Sequence, residues 1–221
     1  MAGVFITIEG VEGSGKSTQI QRLDARLRAL GLPAIFSKEP GGTALGRELR
    51  SLLLSPHESG ETWCPDAELL LFYADRAQHV ATLIRPALRD GKIVVVDRFE
   101  DSTRAYQGAS GVEEASLARL RDLVLGEFRP DLTLVLDMDP EASLQRVATR
   151  NAALGESFTE TRFDGEALAF HRRVRERFQA IARQEPTRVK LVPADADADR
   201  VAAALWSHLA PCLRQAGFRV D

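Results

Sequence analysis

The chain has 221 residues, 44% of them hydrophobic and 28% charged, with a formal net charge of -3, as in ordinary globular proteins large enough to bury a substantial core. That balance speaks against a duplex-binding protein, which carries a basic excess, and no apolar run approaches the length that spans a bilayer. The two cysteines, Cys64 and Cys212, lack the spacing of a metal or redox pair, and no basic, cleavable leader precedes the first strand, so the expectation is a cytoplasmic protein with reduced thiols and no nucleic-acid or membrane partner.

Val4-Phe5-Ile6-Thr7-Ile8 reads as a strand, and Gly10-Val11-Glu12-Gly13-Ser14-Gly15-Lys16-Ser17 follows it and opens a helical pattern. This is the GxxxxGK[ST] phosphate loop in its strand-to-helix setting. The glycines let successive N–H groups turn inward onto an anion, and the helix beginning near Lys16 adds the positive end of its dipole. The loop predicts that Lys16 reaches the β- and γ-phosphates and that the Ser17 hydroxyl holds a magnesium ion. A glycine-rich turn with no ligand leaves both residues unexplained.

Ile20, Leu23, Leu27 and Leu30 recur at helical spacing up to Gly31, and Pro33 to Ser37 reads as a second strand. Lys38-Glu39-Pro40-Gly41-Gly42-Thr43 is a loop whose paired glycines permit close backbone approach, and a helix with Leu45, Leu49, Leu52 and Leu53 follows. After a polar connection over Ser55–Pro65, one long helix is predicted from about Asp66 to Arg89, bent near Pro86. Leu69, Leu70, Tyr73, Ala77, Val80 and Leu83 form its apolar face, with Phe72, Arg76 and His79 on the others.

Ile93-Val94-Val95-Val96 is an unbroken apolar run, the mark of a parallel strand covered on both faces, and it ends in Asp97-Arg98. A helix is expected over about Glu113–Leu125, a strand over Leu132–Leu136 ending in Asp137, and a helix from Pro140 to about Arg150. Asn151 to Asp164 has weak periodicity and reads as a mobile loop flanked by Arg150 and Arg162. A basic helix with Arg172, Arg173, Arg175 and Arg177 comes next, read as a solvated face, then a strand over Val189–Val192 and a helix over Val201–Leu213.

Strands alternating with helices predict an α/β fold of the P-loop NTPase type: a three-layer sandwich in one domain over residues 1–221, with a five-stranded parallel sheet, helices on both faces and a lid at about 150–164. Ligands in such folds sit at the carboxyl ends of the strands. There the sequence collects Glu9 to Ser17, Glu39 to Thr43, Asp97-Arg98 and Asp137. Phosphoryl transfer between two anions needs cations and alignment more than covalent help. Asp97 stands where a second carboxylate serves the magnesium shell, and Arg98 is placed either to bridge transferring and accepting phosphates, or to pair with Asp97 or stay at the surface. Arg150 and Arg162 are placed to close over phosphates or to stay solvated.

Several motifs, in order and correctly spaced, resemble bacterial thymidylate kinase. They are Phe5-Ile6-Thr7-Ile8-Glu9 with the loop Gly10 to Thr18, Glu39-Pro40-Gly41-Gly42-Thr43, Leu71-Phe72-Tyr73-Ala74-Asp75-Arg76, Asp97-Arg98, Ser102-Thr103, Ala105-Tyr106-Gln107-Gly108 and Arg129-Pro130-Asp131-Leu132-Thr133. The resemblance implies transfer of the ATP γ-phosphoryl group to dTMP, giving ADP and dTDP, with Mg2+, in a homodimer. ATP would be held by Gly10, Val11, Glu12, Gly13, Ser14, Gly15, Lys16, Ser17 and Thr18. For dTMP it implies Phe72 stacked on the thymine, Arg76 at its carbonyl edge, Tyr106 under the deoxyribose, Arg98 on the acceptor phosphate and Glu12 on the 3′-hydroxyl, directly or through water. Ser102, Thr103 and Gln107 lie where the family contacts the base.

By pattern alone Phe72 and Tyr106 read equally as core aromatics. The loop positions Val11, Glu12, Gly13 and Ser14 include no cation, so the resemblance is to members that take a catalytic arginine from the lid, here Arg150 or, by preference, Arg162. The lid departs from the family pattern at Thr161-Arg162-Phe163-Asp164, and Lys38 stands where an arginine is common. A kinase for another nucleoside monophosphate and a nucleotide-hydrolysing switch are the alternatives.

Overall fold

The computed structural model describes residues 3–55, 57–154 and 167–220. Among these residues five strands form one parallel sheet: β1 Val4–Gly10, β2 Ala34–Lys38, β3 Ile93–Asp97, β4 Leu132–Asp137 and β5 Val189–Pro193, in the spatial order β2-β3-β1-β4-β5. β1 is buried along its whole length, which is why it, β3 and β4 carry so little polar alternation. The order reverses beside β1, between β3 and β4, and this places the crevice at the end of the strand that feeds the phosphate loop. Register then brings particular side chains to that edge, with Ile8 opposite Asp97, Asp97 opposite Lys38 and Gly10 opposite Leu136.

The helices are α1 Lys16–Ala29, α2 Ala44–Leu54, α3 Pro65–His79, α4 Arg85–Arg89, α5 Glu100–Ala109, α6 Glu114–Val124, α7 Pro140–Leu154, α8 Leu168–Gln184 and α9 Ala198–Gln215. Leu23 and Leu27 of α1 and Leu205, Leu209 and Leu213 of α9 pack on Val4, Ile6 and Ile8, which alternate onto one face. The other face packs Phe5, Val94 and Val96 against Val80, Ile84 and Phe99, and Val135 against Tyr106, Phe170, Val174 and Phe178. Three layers around two apolar interfaces result.

Four expectations are corrected. The long helix from Asp66 is continuous in path but passes through a π-helical turn at Val80–Ile84, where Arg85 N–H bonds to Val80 O. Proline has no N–H and its ring would strike the carbonyl four residues back, so the widened turn accommodates Pro86. The buried face of α3 also differs, since Arg76 and His79 are buried while Leu70 is 55% exposed. Helix α5 is absent from the periodicity because its buried positions include Glu100, Asp101, Ser102, Thr103 and Gln107, and α7 runs to Leu154, one turn beyond Arg150. Arg162 and most of the expected lid lie outside the described residues.

Candidate active site

The phosphate loop takes its shape from three glycines with positive φ, Gly10 at 139°, Gly13 at 71° and Gly15 at 93°. At Gly13 a side chain is also sterically impossible, since a Cβ there would lie 2.4 Å from Ser143 O. Gly15 caps α1 in the left-handed conformation, so the first N–H groups of the helix face the loop. The Lys16 ammonium donates to Gly10 O and Val11 O, each at 3.1 Å. Burial and then the nearby Arg98 charge push its pKa down to about 8.

Beside the loop, Arg98 follows β3 with φ at 67°, uncommon for a residue with a side chain. The Arg98 N–H donates to Ile8 O at 3.0 Å. Its guanidinium donates to Glu12 at 2.8 Å, Ser102 Oγ at 3.1 Å and Tyr106 OH at 3.2 Å. Thus Arg98 pairs with Glu12 and not with Asp97. The Tyr106 hydroxyl donates to the other Glu12 oxygen at 2.6 Å. Burial by itself would raise the Glu12 pKa, but Arg98, Lys16 and the Tyr106 hydroxyl outweigh it and hold the carboxylate below its usual range.

One side chain that the sequence marks only as part of a motif lies beneath this group. Glu9 is fully buried, accepts from Phe99 N–H at 2.8 Å and from the Ser102 hydroxyl, and burial, helped by Asp101, pushes its pKa up to about 8.

Farther along, Arg76 is 2% exposed. It donates from Nε to Glu39 at 2.9 Å and from Nη2 to Phe99 O and Thr103 Oγ1, both at 3.0 Å, while Nη1 has no partner among the described residues. Gln107 donates to the buried Glu68 at 2.8 Å. Phe72 is partly buried.

These groups share one cavity of about 530 Å³, the volume of a small-molecule site. It is lined by Glu12, Gly13, Gly15, Lys16, Ser17, Thr18, Phe72, Arg76, Asp97, Arg98, Ser102, Thr103, Tyr106, Gln107 and Arg150, all of them predicted. Gly10, Val11 and Ser14 shape the loop from behind: Gly10 is close against Leu136 O, Val11 lies in the core, and the Ser14 hydroxyl bonds to Val11 O at 2.8 Å.

The cavity wall also holds Lys38, Arg50 and Arg146, which the sequence reading passed over as site residues. Arg146 lies four residues before Arg150, and that helical spacing was the available signal. The basic run of α8 is not simply solvated, since Arg175 pairs with Asp137 at 2.6 Å and Arg177 with Glu114.

Asp97 and Ser17 both line the cavity, and Asp97 Oδ1 is a buried oxygen with no hydrogen-bond partner among the described residues. A carboxylate oxygen and a hydroxyl beside a phosphate loop suit Mg2+, which uses one or two protein oxygens and completes its shell with water and substrate phosphates.

The thymidylate kinase family model matches residues 8–205. The chain is 49% identical over 203 residues to the thymidylate kinase of Syntrophotalea carbinolica, covering 91% of this chain and 93% of that protein. It is 44% identical over 219 residues to that of Desulfovibrio desulfuricans, covering 99% of this chain and all of the relative. The crystal structure of thymidylate kinase from Ehrlichia chaffeensis superposes with a TM-score of 0.73 at 31% identity, over 95% of this chain and 99% of that one. Sequence similarity along almost the whole length and a shared fold lead to the same assignment, and the chain belongs to the thymidylate kinase family.

Proposed function

We propose that this protein transfers the γ-phosphoryl group of ATP to dTMP, giving dTDP and ADP, with Mg2+ held by Ser17 and Asp97, in the cytoplasm and as a homodimer. The observation that carries the reading is that the phosphate loop, the Arg76 guanidinium, the Phe72 ring and Arg98 line one cavity together. That is the layout for aligning two phosphorylated ligands, and alignment with charge neutralisation is most of what phosphoryl transfer requires.

In this reading the loop N–H groups and Lys16 hold the donor phosphates, and a bound Mg2+ would neutralise charge on them. Arg98 takes the acceptor phosphate. Glu12, already ionised and anchored by Tyr106 and Arg98, accepts from the sugar 3′-hydroxyl, and the Tyr106 ring occupies the space below the deoxyribose. Phe72 stacks on the base, a contact of about 1–3 kcal/mol that tolerates any base. Selection therefore falls to edge contacts, and in this reading the guanidinium of Arg76, which lines the cavity, donates to a base carbonyl. Arg150 on the cavity wall and Arg162 are the arginines that would serve the transition state from the lid, with Arg162 preferred.

The homodimer draws support from exposed leucines on helices that pack together: Leu45 and Leu52 of α2, Leu70 of α3 and Leu123 of α6 are 56%, 54%, 55% and 79% exposed. Sedimentation of a monomer at assay concentration overturns this part. Among the described residues no helix is long and apolar enough to cross a membrane.

The decisive assay is ADP release from MgATP against dTMP, dUMP, UMP, CMP, AMP and GMP. Strong selectivity for dTMP is expected. Preference for another monophosphate overturns the base-site roles, and hydrolysis indifferent to all of them makes the protein a switch.

A further inference from the structure

Arg76 has five N–H donors, and their distribution is unusual for an arginine beside a carboxylate. Such pairs commonly close into a fork, with two parallel N–H···O bonds from Nε and Nη2 to the two carboxylate oxygens. Here Glu39 gives Arg76 only one oxygen, Oε2, at 2.9 Å. The second, Oε1, lies 2.9 Å from His79 Nδ1, and His79 Nε2 lies 2.8 Å from Ser37 Oγ. Because Glu39 is held away, Nη2 is left to Phe99 O and Thr103 Oγ1. The plane of the guanidinium is then fixed by three acceptors, and its Nη1 is the group left over.

The chain packs tightly around this relay. His79 and Glu39 are 0% and 4% exposed. A Cβ on Gly42 would lie 2.4 Å from His79 Nε2 and 2.6 Å from Ser37 Oγ. The close approach that the paired glycines allow is therefore made in part to the imidazole, and no other residue fits at position 42 with His79 in place.

We propose that His79 is a positioning residue for the acceptor base. By engaging one oxygen of Glu39, it prevents the Glu39–Arg76 pair from closing into a two-bond fork and so keeps Nη2 on Phe99 O and Thr103 Oγ1 and holds the guanidinium, which lines the cavity, in its present plane. Removing His79 lets Glu39 Oε1 compete for Nη2, which turns the guanidinium away from the base. The ligand chemistry concerned is a pyrimidine carbonyl. The inference rests on the reading that Arg76 contacts that carbonyl.

The test is steady-state kinetics of His79→Leu and His79→Asn beside the wild type and Arg76→Gln. Asparagine can present an N–H close to the position of Nδ1. His79→Leu is expected to raise the KM for dTMP about tenfold, the scale of a hydrogen bond to a charged group, with the KM for ATP unchanged and kcat within about twofold. His79→Asn is expected to recover most of that loss. Equal damage in both variants, or damage spread over both KM values and kcat, overturns the positioning role in favour of plain packing.

The two layers fail separately. If Arg76→Gln leaves the dTMP KM unchanged, the base-contact reading is wrong, whereas a raised KM there with an unaffected His79→Leu removes the relay alone. Should His79→Leu not fold, Ser37→Ala gives a milder version of the same break, with a two- to threefold rise in the dTMP KM expected and no rise overturning the relay.

Discussion

Two sets of charged side chains in the cavity are held differently. Glu12 and Arg76 are held by other side chains, Glu12 by Arg98 and Tyr106, and Arg76 by Glu39. Lys16 instead lies on the carbonyls of Gly10 and Val11, and Arg146 reaches Ala194 O at 3.4 Å. A buried carboxylate–guanidinium pair costs several kcal/mol to break because it strands a charge, so the Glu12–Arg98 and Glu39–Arg76 pairs are preformed. A cation resting on backbone carbonyls gives up much less to an incoming polyanion. In the proposed reading, Arg76 serves to discriminate between neutral rings and Lys16 to receive charge.

That contrast breaks most visibly at Lys16. Lys16→Ala is expected to lower kcat on the order of a thousandfold, since charge developing on the transferring group loses its partner, while thermal unfolding stays near wild type because no side-chain pair is broken. Near-normal turnover of a folded variant removes the phosphate-loop role.

Arg98→Ala joins both effects. About a hundredfold loss of kcat is expected together with a raised KM for dTMP and a lower melting temperature, because Glu12 is left buried beside Tyr106 without its cation. Unchanged kinetics for both substrates exclude the bridging role. For Arg162→Ala the expected loss is about tenfold or more, mainly in kcat, with Arg150→Ala milder, and the reverse ranking exchanges their assignments.

The smallest effect sharpens the comparison through stability. The Glu9 pKa rises from its ordinary 4.5 to about 8 in the folded protein, so between those pH values the folded state holds a proton that the unfolded state has lost. Its stability contribution is therefore complete below pH 4.5 and falls away as pH rises through 8, at no more than about 1.4 kcal/mol per pH unit. Glu9→Gln should flatten the decline measured by thermal unfolding across this window. A residual slope of the same sign is expected from Asp75 and Glu100, which burial pushes up to about 6 and about 7. An unaltered profile shows that Glu9 does not titrate there.

Much of the fold was legible because its signals are local. The run from Ile93 to Val96 is apolar throughout because both faces of β3 are covered, and the phosphate loop is contiguous in the chain. Two of the errors share one cause. Helix α5 escaped the periodicity, and Arg76 and His79 were placed on the wrong face of α3, because in both helices the buried stripe includes polar and charged side chains. A polar side chain is stable in the interior when its partners are there, and those of Arg76 are Glu39, Phe99 O and Thr103, between 23 and 37 residues away.

Read alone, the sequence determined five strands, their parallel winding, the phosphate loop and the set of side chains gathered at one edge, since hydrophobic period and glycine placement act over a few residues. Tertiary structure alone decided the strand order β2-β3-β1-β4-β5, the pairing of Arg98 with Glu12 over Asp97, and the division of Glu39 between Arg76 and His79. Each of these turns on which buried donor meets which acceptor across long separations, and geometry fixes that only once the layers have packed.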